Sequence, residues 1–505
     1  MYTQKVKYPV FQRRTDLSIQ TRFLIAYIVC FQNKWGTVTR LSDKYNVSRT
    51  FIYDLRNYFL FMGENIFQLQ QVIDKQTYKM DSLEAIFSLR FEGKSSIESI
   101  SIIMKRFGLS LNSVGFISQA IKKMGDKIGN NLTVNNPSLI KVVFCCDEIF
   151  AKQTPILITV DPVSLTILNI ELALNRKGST WEQHWSNLVS QGYIPLYLAK
   201  DEGNGMDSAQ KVVLSNTGVQ SDTYHAVAHC LGLWNIRLEK AAYKAIEYEY
   251  ECLRLWDNAK SQKTLIKRTE KYEKAIRETF QSIELYESFE HLYYCLLECF
   301  ENFDLDGKLK DSEQTIAFFD NTLEAIKLLK HKEINEEIKS IENCKKNLFH
   351  FTKVAKEIIQ ELSQFVDNET LQPLCLAWQV RKNSVKLKNQ SERKNALERK
   401  EQYILESVKE RIGEKYEIIK NQVYEKLDQI VQSSAAVECI NSILRPYLNT
   451  IKNQPTQEFL NLFMFYHNHR RFTAGKRKGK TPIELLTGEE QTEDWIKLLF
   501  QQTAS

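Results

Sequence analysis

Between residues 137 and 200 the hydrophobic pattern changes period, and that change constrains what the chain can become. KVVFCCDEIF (141–150), TPILITVDP (154–162) and LTILNIELAL (165–174) are runs of β-branched and aromatic residues, the last two joined at Asp161 and Pro162. STWEQHWSNLVSQGY (179–193) then places Trp181, Trp185 and Leu188 at helical spacing, before the apolar run IPLYLAK (194–200). Three strands, a helix and a further strand open an α/β domain in a chain that otherwise reads as helix.

Two of these strands end in acid. Asp147 and Asp201 each stand where a strand stops burying side chains, the second before a turn at Gly203 and Gly205. Both are followed by glutamate, and strand alternation sends neighbours to opposite faces, so one of each pair reaches a common site. The aspartates directly follow the apolar runs and are the choice; Glu148, Glu202 and Asp161 remain rival ligands. Glu438, on a predicted helix within SSAAVECINSILRPYL (433–448), is the third acid, with Asn441 and Arg445 on its face. Two strand-end aspartates and a helix glutamate form a cage for two hard divalent cations, Mg²⁺ or Mn²⁺. In DTYHAVAHCLGLW (222–234), Asp222 and His225 are candidates for positioning that site, or ordinary structural polar residues. His225 and His229 stand four apart, but no third ligand is spaced to complete a zinc site.

At 505 residues the chain exceeds a single core. A net charge of +6 permits a polyanionic partner without demanding one. Ten cysteines without a CxxC pair read as free thiols in a reducing compartment. No apolar run is long enough for a membrane span, and MYTQKVKYPV lacks a signal core, so the expected location is the cytoplasm.

Residues 1–75 read as a helix-turn-helix module. Ser48 caps a helix that turns Phe51, Ile52 and Leu55 inward and leaves Arg49, Thr50, Tyr53 and Arg56 for DNA. An ordinary helical hairpin has the same spacing. A second such unit lies within 76–136, with Gly108 at its turn, Ser110 opening its second helix, and Lys122 and Lys123 exposed. The first part of the α/β core spans 137–229. Residues 230–430 form an all-helical insertion, in which 240–280 reads as one long solvated helix. Its segment 379–400 carries Arg381, Lys382, Lys386 and Lys388, either a solvated face or a track for a DNA backbone, with Trp378 beside it as core or as a base-stacking platform. The core resumes over 431–470. A basic tail, 471–505, follows, and Arg470, Arg471, Lys476, Arg477, Lys478 and Lys480 suit a phosphate-contacting loop.

Taken together, Asp147, Asp201 and Glu438 resemble the DDE triad of transposases with an RNase H-like fold. ECINSILRPYL (438–448) is similar to the glutamate helix of many bacterial transposases, and YHNHRRFTAGKRKGKTPIELL (466–486) to their closing motif. The long interval between Asp201 and Glu438 implies a helical insertion, as in hAT and mutator-like transposases, which also carry a DxxH motif resembling Asp222 and His225. The likeness covers roughly 137–229 and 431–486. It implies a mixed five-stranded sheet interrupted by an all-α insertion and preceded by helix-turn-helix modules. It further implies two-metal-ion cleavage and strand transfer, double-stranded DNA as partner, assembly as a dimer or larger, and a bacterial nucleoid setting. The alternative is a transposase-derived DNA-binding protein without catalysis.

Overall fold

The computed structural model describes residues 16–73, 81–129, 140–387 and 391–504, in two compact units, Met1–Asp81 and Ser82–Ser505. The first unit holds α1 (Ile19–Phe31), α2 (Thr37–Tyr45) and α3 (Arg49–Ile73). Asn46 ends α2 in the left-handed conformation, with φ of 47°, and the Ser48 hydroxyl accepts the Phe51 N–H at 3.1 Å to start α3. Ile25, Val29, Leu41, Val47, Ile52 and Leu55 form its core. Arg49, Thr50 and Tyr53 are exposed and Arg56 is half-buried. The last helix runs well past Phe59, where the sequence pattern ends it.

The second unit opens with α4 (Ser82–Phe91), α5 (Ile97–Arg106) and α6 (Val114–Ile128). Then come β1 (Ile140–Ala151), β2 (Thr154–Val160), β3 (Ile167–Leu172), α7 (Gly178–Ser190), β4 (Tyr193–Lys200), α8 (Asn204–Val213) and β5 (Gly218–Ser221). A π-turn at Tyr224–His229 enters a block of helices: α9 (Cys230–Asp257), α10 (Gln262–Glu298), α11 (Ser312–Leu328), α12 (Lys332–Leu348), α13 (His350–Leu362), α14 (Asn368–Val385), α15 (Glu392–Ile412) and α16 (Tyr416–Leu427). The chain closes with α17 (Ala435–Thr450), α18 (Gln457–His469), α19 (Pro482–Thr487) and α20 (Trp495–Ala504).

The strands form one mixed sheet in the order β3-β2-β1-β4-β5. β1–β2 and β2–β3 are antiparallel, whereas β1–β4 and β4–β5 are parallel. Alternation along β1 divides the core as a pleated strand must. Val143, Cys145 and Ile149 pack with α17 and α18, while Val142, Phe144 and Cys146 pack with Trp181 and Trp185 of α7 and Met206 of α8. The block α9–α16 has a separate core that includes Phe289, Phe319, Phe351 and Leu374.

Four expectations change. The second helix-turn-helix-like unit has no core of its own, because Ile100, Met104, Ile117 and Ile121 are buried against the sheet, α17 and α18. Its last helix starts after Ser113, whose hydroxyl accepts the Phe116 N–H at 3.2 Å, rather than at Ser110. The stretch 240–280 is divided between α9 and α10, which double back on each other, with the Trp256 indole donating to Thr269 at 2.9 Å. Residues 471–505, read as a basic tail, return to the core through Trp495, Ile496 and Leu499.

The packing of α6 on α18 depends on Gly125, where a Cβ would fall 2.1 Å from the Glu458 carbonyl oxygen. Gly125→Ala should therefore cost about 1–3 kcal/mol through overpacking, read as a lowered urea midpoint. An unchanged midpoint would mean that the two helices separate freely.

Candidate active site

Parallel pairing of β1 and β4 aligns Cys145 with Ala199. Two residues further along β1, Asp147 lies on the face of Cys145, and two residues beyond Ala199 the chain reaches Asp201. Asp201 sits just beyond β4, and its Oδ1 accepts the Gly203 N–H at 3.1 Å. A Cβ on Gly203 would come within 3.1 Å of that oxygen, so the glycine lets the backbone close on the carboxylate. Above this face stands α17, with Glu438 exposed in its first turn and Asn441 buried one turn on. Asn441 Nδ2 reaches Asp147 Oδ2 at 3.5 Å, while its Oδ1 is buried without a hydrogen-bond partner among the described residues.

Burial raises the Asp147 carboxyl to about 7, and the charges of Asp201 and Glu438 push in the same direction. The Glu148 N–H, donating to Asp147 Oδ1 at 2.7 Å, and His225 oppose that shift. Asp201 and Glu438 are thus both close enough for their charges to act on Asp147. Glu438 leans toward His225, with 3.9 Å between Oε1 and Nε2. As the side chains stand, no three His, Cys, Asp or Glu among the described residues are gathered closely enough to hold an ion. The donor set nonetheless fits a hard cation: oxygen ligands, mutual carboxylate repulsion and an orphaned amide oxygen beside them.

The rival acids separate by environment. Asp161 closes the turn after β2, its Oδ2 accepting the Ser164 N–H at 2.8 Å and hydroxyl at 2.6 Å. Glu202 accepts the Ser221 hydroxyl. Glu148 lies on the opposite face of β1, 3.8 Å from Arg176, yet Oε2 is buried without a hydrogen bond among the described residues. Burial raises its pKa, and the Asp201 charge adds to that rise, so Glu148 borders the same strand ends.

Asp222 is almost fully buried and joins two segments remote in sequence. Its Oδ1 accepts the N–H groups of Tyr224 at 2.8 Å and His225 at 2.9 Å, and its Oδ2 the N–H of Ser434 at 2.7 Å and the Ser434 hydroxyl. One carboxylate therefore fixes both the π-turn bearing His225 and the start of the helix bearing Glu438. The π-turn left no mark in the sequence, because its wider pitch is absent from apolar spacing. His225 and His229 have ring centroids 6.2 Å apart.

Of the expected DNA contacts, Lys122 and Lys123 are exposed, with Lys122 3.8 Å from Glu458; Arg445, expected beside Asn441 to steady the phosphate or Glu438, is exposed on α17. Lys388 lies outside the described residues. The stretch before it is no open basic track. Arg381 lies over the Tyr424 ring at 5.5 Å, and Lys382 packs over Trp378 at 4.9 Å and donates to Gln432 at 3.0 Å. Lys382 is half-buried and burial pushes it down to about 7, which suits it poorly to a phosphate; Lys386 is exposed, yet its pKa too is lowered by burial. Trp378 is buried and donates to Asp428 at 3.0 Å, which removes it as a stacking platform.

The last turn of α18 and the segment after it are largely a structural clamp. Asn468 accepts from the Ile167 N–H and donates to the Ile167 carbonyl, both at 2.9 Å, completing the free edge of β3. Thr481 and Glu484 form a capping box around Pro482. Arg471 reaches Glu484 at 2.9 Å, Arg477 donates to the carbonyls of Pro162 and Val163, and Lys476 pairs with Asp428 at 2.6 Å. Arg470 lies 5.5 Å from the Tyr466 ring, leaving Lys478 and Lys480 exposed on the loop. The motif's polar residues are chiefly structural because the edge strand and the turn at Asp161 have backbone groups to satisfy.

His467, in the same segment, is fully buried against the Leu165 carbonyl at 2.9 Å, and burial lowers it to about 4. The unfolded chain binds this proton below pH about 6.5, so stability falls as pH drops through that value and levels off near 4, a loss of about 3 kcal/mol. His467→Gln should flatten this part of the stability profile in denaturant titrations. Parallel profiles would show that the histidine accepts a proton without disturbing the fold.

Comparison with known protein families matches no family model, and comparison with curated proteins finds no significant similarity. The site itself therefore carries the functional reading.

Proposed function

We propose that the chain is a DNA transposase that cleaves and joins phosphodiesters through Asp147, Asp201 and Glu438. The observation carrying this reading is the placement of Asp147 on β1 and of Asp201 at the end of the neighbouring parallel strand β4, near Glu438 of α17, with the charges of Asp201 and Glu438 both raising the buried Asp147 carboxyl. The sheet order, with an antiparallel β3-β2-β1 half and parallel β4 and β5, supports an RNase H-like reading of the domain. The helical block between β5 and α17 occupies the place of an insertion domain.

In this reading Asp147, Asp201 and Glu438 hold two Mg²⁺ or Mn²⁺ ions, and Glu438 swings from His225 toward the aspartates. The bound ions would supply activation of water or a 3′-hydroxyl and stabilisation of the leaving oxygen. Asn441 orients the Asp147 carboxylate, and its free Oδ1 faces the same polar cluster. Asp222 keeps the helix of Glu438 and the turn of His225 at fixed separation. Arg49, Thr50, Tyr53 and Arg56 would read duplex DNA from the first unit, while Lys122, Lys123, Arg445, Lys478 and Lys480 contact backbone phosphates. Two element ends call for at least two copies of the chain, and the reaction places the protein with cytoplasmic, nucleoid DNA.

The test is transfer of a labelled 3′-hydroxyl element end into a target plasmid with Mn²⁺ present. Joined product supports a transposase, nicking without joining indicates a nuclease, and binding without either favours a DNA-binding protein built on this scaffold.

A further inference from the structure

The hairpin of α9 and α10 presents an apolar face that its own unit leaves uncovered. Ile236, Tyr243 and Tyr250 recur every seven residues along α9, with Ile246 between them, and Tyr243 and Tyr250 are 62% and 67% exposed. On α10, Ile276 and Phe280 are exposed as well, Phe280 at 68%. The helices run antiparallel in a register set by Thr279, whose hydroxyl donates to the Ala245 carbonyl at 3.0 Å. That register brings Phe280 level with Tyr243 and Ile246, and Ile276 level with Tyr250. Buried Ala242 and Cys252 on α9, and Ala275 and Thr279 on α10, define the inner side of the pair. Measured from there, both exposed apolar stripes turn to the same side of the hairpin, because antiparallel helices count residues in opposite senses. A seven-residue apolar repeat is the seam that a helix offers to another helix.

The charges beside the seam identify the occupant. Lys240 and Lys244 occupy one half of this stretch of α9, and Glu247 and Glu251 the other, all exposed. A two-fold axis between Tyr243 and Ile246 would set Tyr243 of one copy on Ile246 of the other. It would also place each basic half against an acidic half, so the pattern is complementary to itself reversed.

We propose that the α9–α10 hairpin is a dimerisation surface that pairs with the same hairpin of a second copy of this chain. This deepens the two-ended transposase reading, although the pairing itself is argued from the hairpin alone. Rim charges set register and specificity, while the aromatic side chains at the centre supply most of the binding energy.

The experiment is sedimentation velocity of the full chain without DNA or metal. Wild type is expected to be a dimer, and Tyr243→Glu with Phe280→Glu a monomer with unchanged circular dichroism. Lys240→Glu with Lys244→Glu should weaken dimerisation at least tenfold. Adding Glu247→Lys and Glu251→Lys should restore it, a readout that general damage to the helix would not give. A monomeric wild type, a dimer indifferent to these changes, or a fourfold variant that fails to recover would each overturn the proposal. A chain that dimerises here yet never joins DNA ends would overturn the transposase reading alone.

Discussion

Asp147→Asn is expected to lower metal-dependent DNA cleavage at least about a thousandfold while making the metal-free protein more stable at alkaline pH. The rate effect follows from removing a carboxylate that, in the proposed function, would help hold the ions: a loss of about 4 kcal/mol in transition-state stabilisation corresponds to that factor. The stability gain follows from the same environment. The Asp147 pKa is raised to about 7, chiefly by burial, with Asp201 and Glu438 adding to it. The folded state therefore holds a proton that the unfolded chain has lost between pH about 4 and 7. Stability declines as pH rises through that window, by at most about 4 kcal/mol, and stays low above it. Asparagine carries no charge to desolvate. In EDTA at pH 8 its melting midpoint should exceed that of wild type, and the two should converge near pH 4. Equal midpoints at pH 8 would show that the site tolerates the ionised acid, and retained cleavage would remove Asp147 from the chemistry.

Asp222→Ala is expected to be the most damaging substitution outside the three acids. The carboxylate satisfies three backbone N–H groups and the Ser434 hydroxyl, and alanine leaves them without an acceptor. Unmet buried donors cost about 1–3 kcal/mol each, partly relieved by local movement, so a loss of about 3 kcal/mol or more is expected in urea denaturation. Cleavage should fall about a hundredfold even where the variant is fully folded, because Glu438 and His225 lose their common anchor. Asp222→Asn keeps the shape and one acceptor oxygen, and should fall between wild type and alanine in both measurements. Full activity in the folded alanine variant would show that Ser434 and the π-turn hold their places without this link.

Much of the arrangement was legible because it rests on strong local signals. The apolar runs before Asp147 and Asp201 are strands, and Asp201 follows the end of its own, but Asp147 does not end β1: the strand continues to Ala151 and buries Ile149 and Ala151 beyond it, because those residues pack on the same core as Cys145. Ser48, Ile52 and Leu55 announced the third helix of the first unit through a cap and an apolar stripe. Other features depend on partners distant in the chain. Nothing within KAAYKAIEYEYECLRLWDNAK (240–260) marks a reversal as sharply as proline or glycine would, and pairing of Trp256 with Thr269 reveals the fold-back. Arg471, Lys476 and Arg477 resembled a basic loop because formal charge is visible in sequence, whereas the carboxylates and carbonyls that engage them are not. Lys382 and Trp378 show the same limit: the groups that bury Trp378 and engage Lys382 come from α14, α16 and the segment leading to α17. Asp222 was legible as a candidate for positioning, and its link to Ser434 supplies the physical reason.

The central claim is that Asp147, Asp201 and Glu438 share one divalent-cation site, and Mn²⁺ titration followed by electron paramagnetic resonance tests it most directly. Wild type, Asp147→Asn, Asp201→Asn and Glu438→Gln would be titrated in parallel at pH 8, with and without short duplex DNA. The account predicts two bound ions on the wild-type complex with DNA, and a marked loss of binding in each variant. Wild-type protein that binds no Mn²⁺ with DNA present, or binding unchanged by all three substitutions, would contradict it.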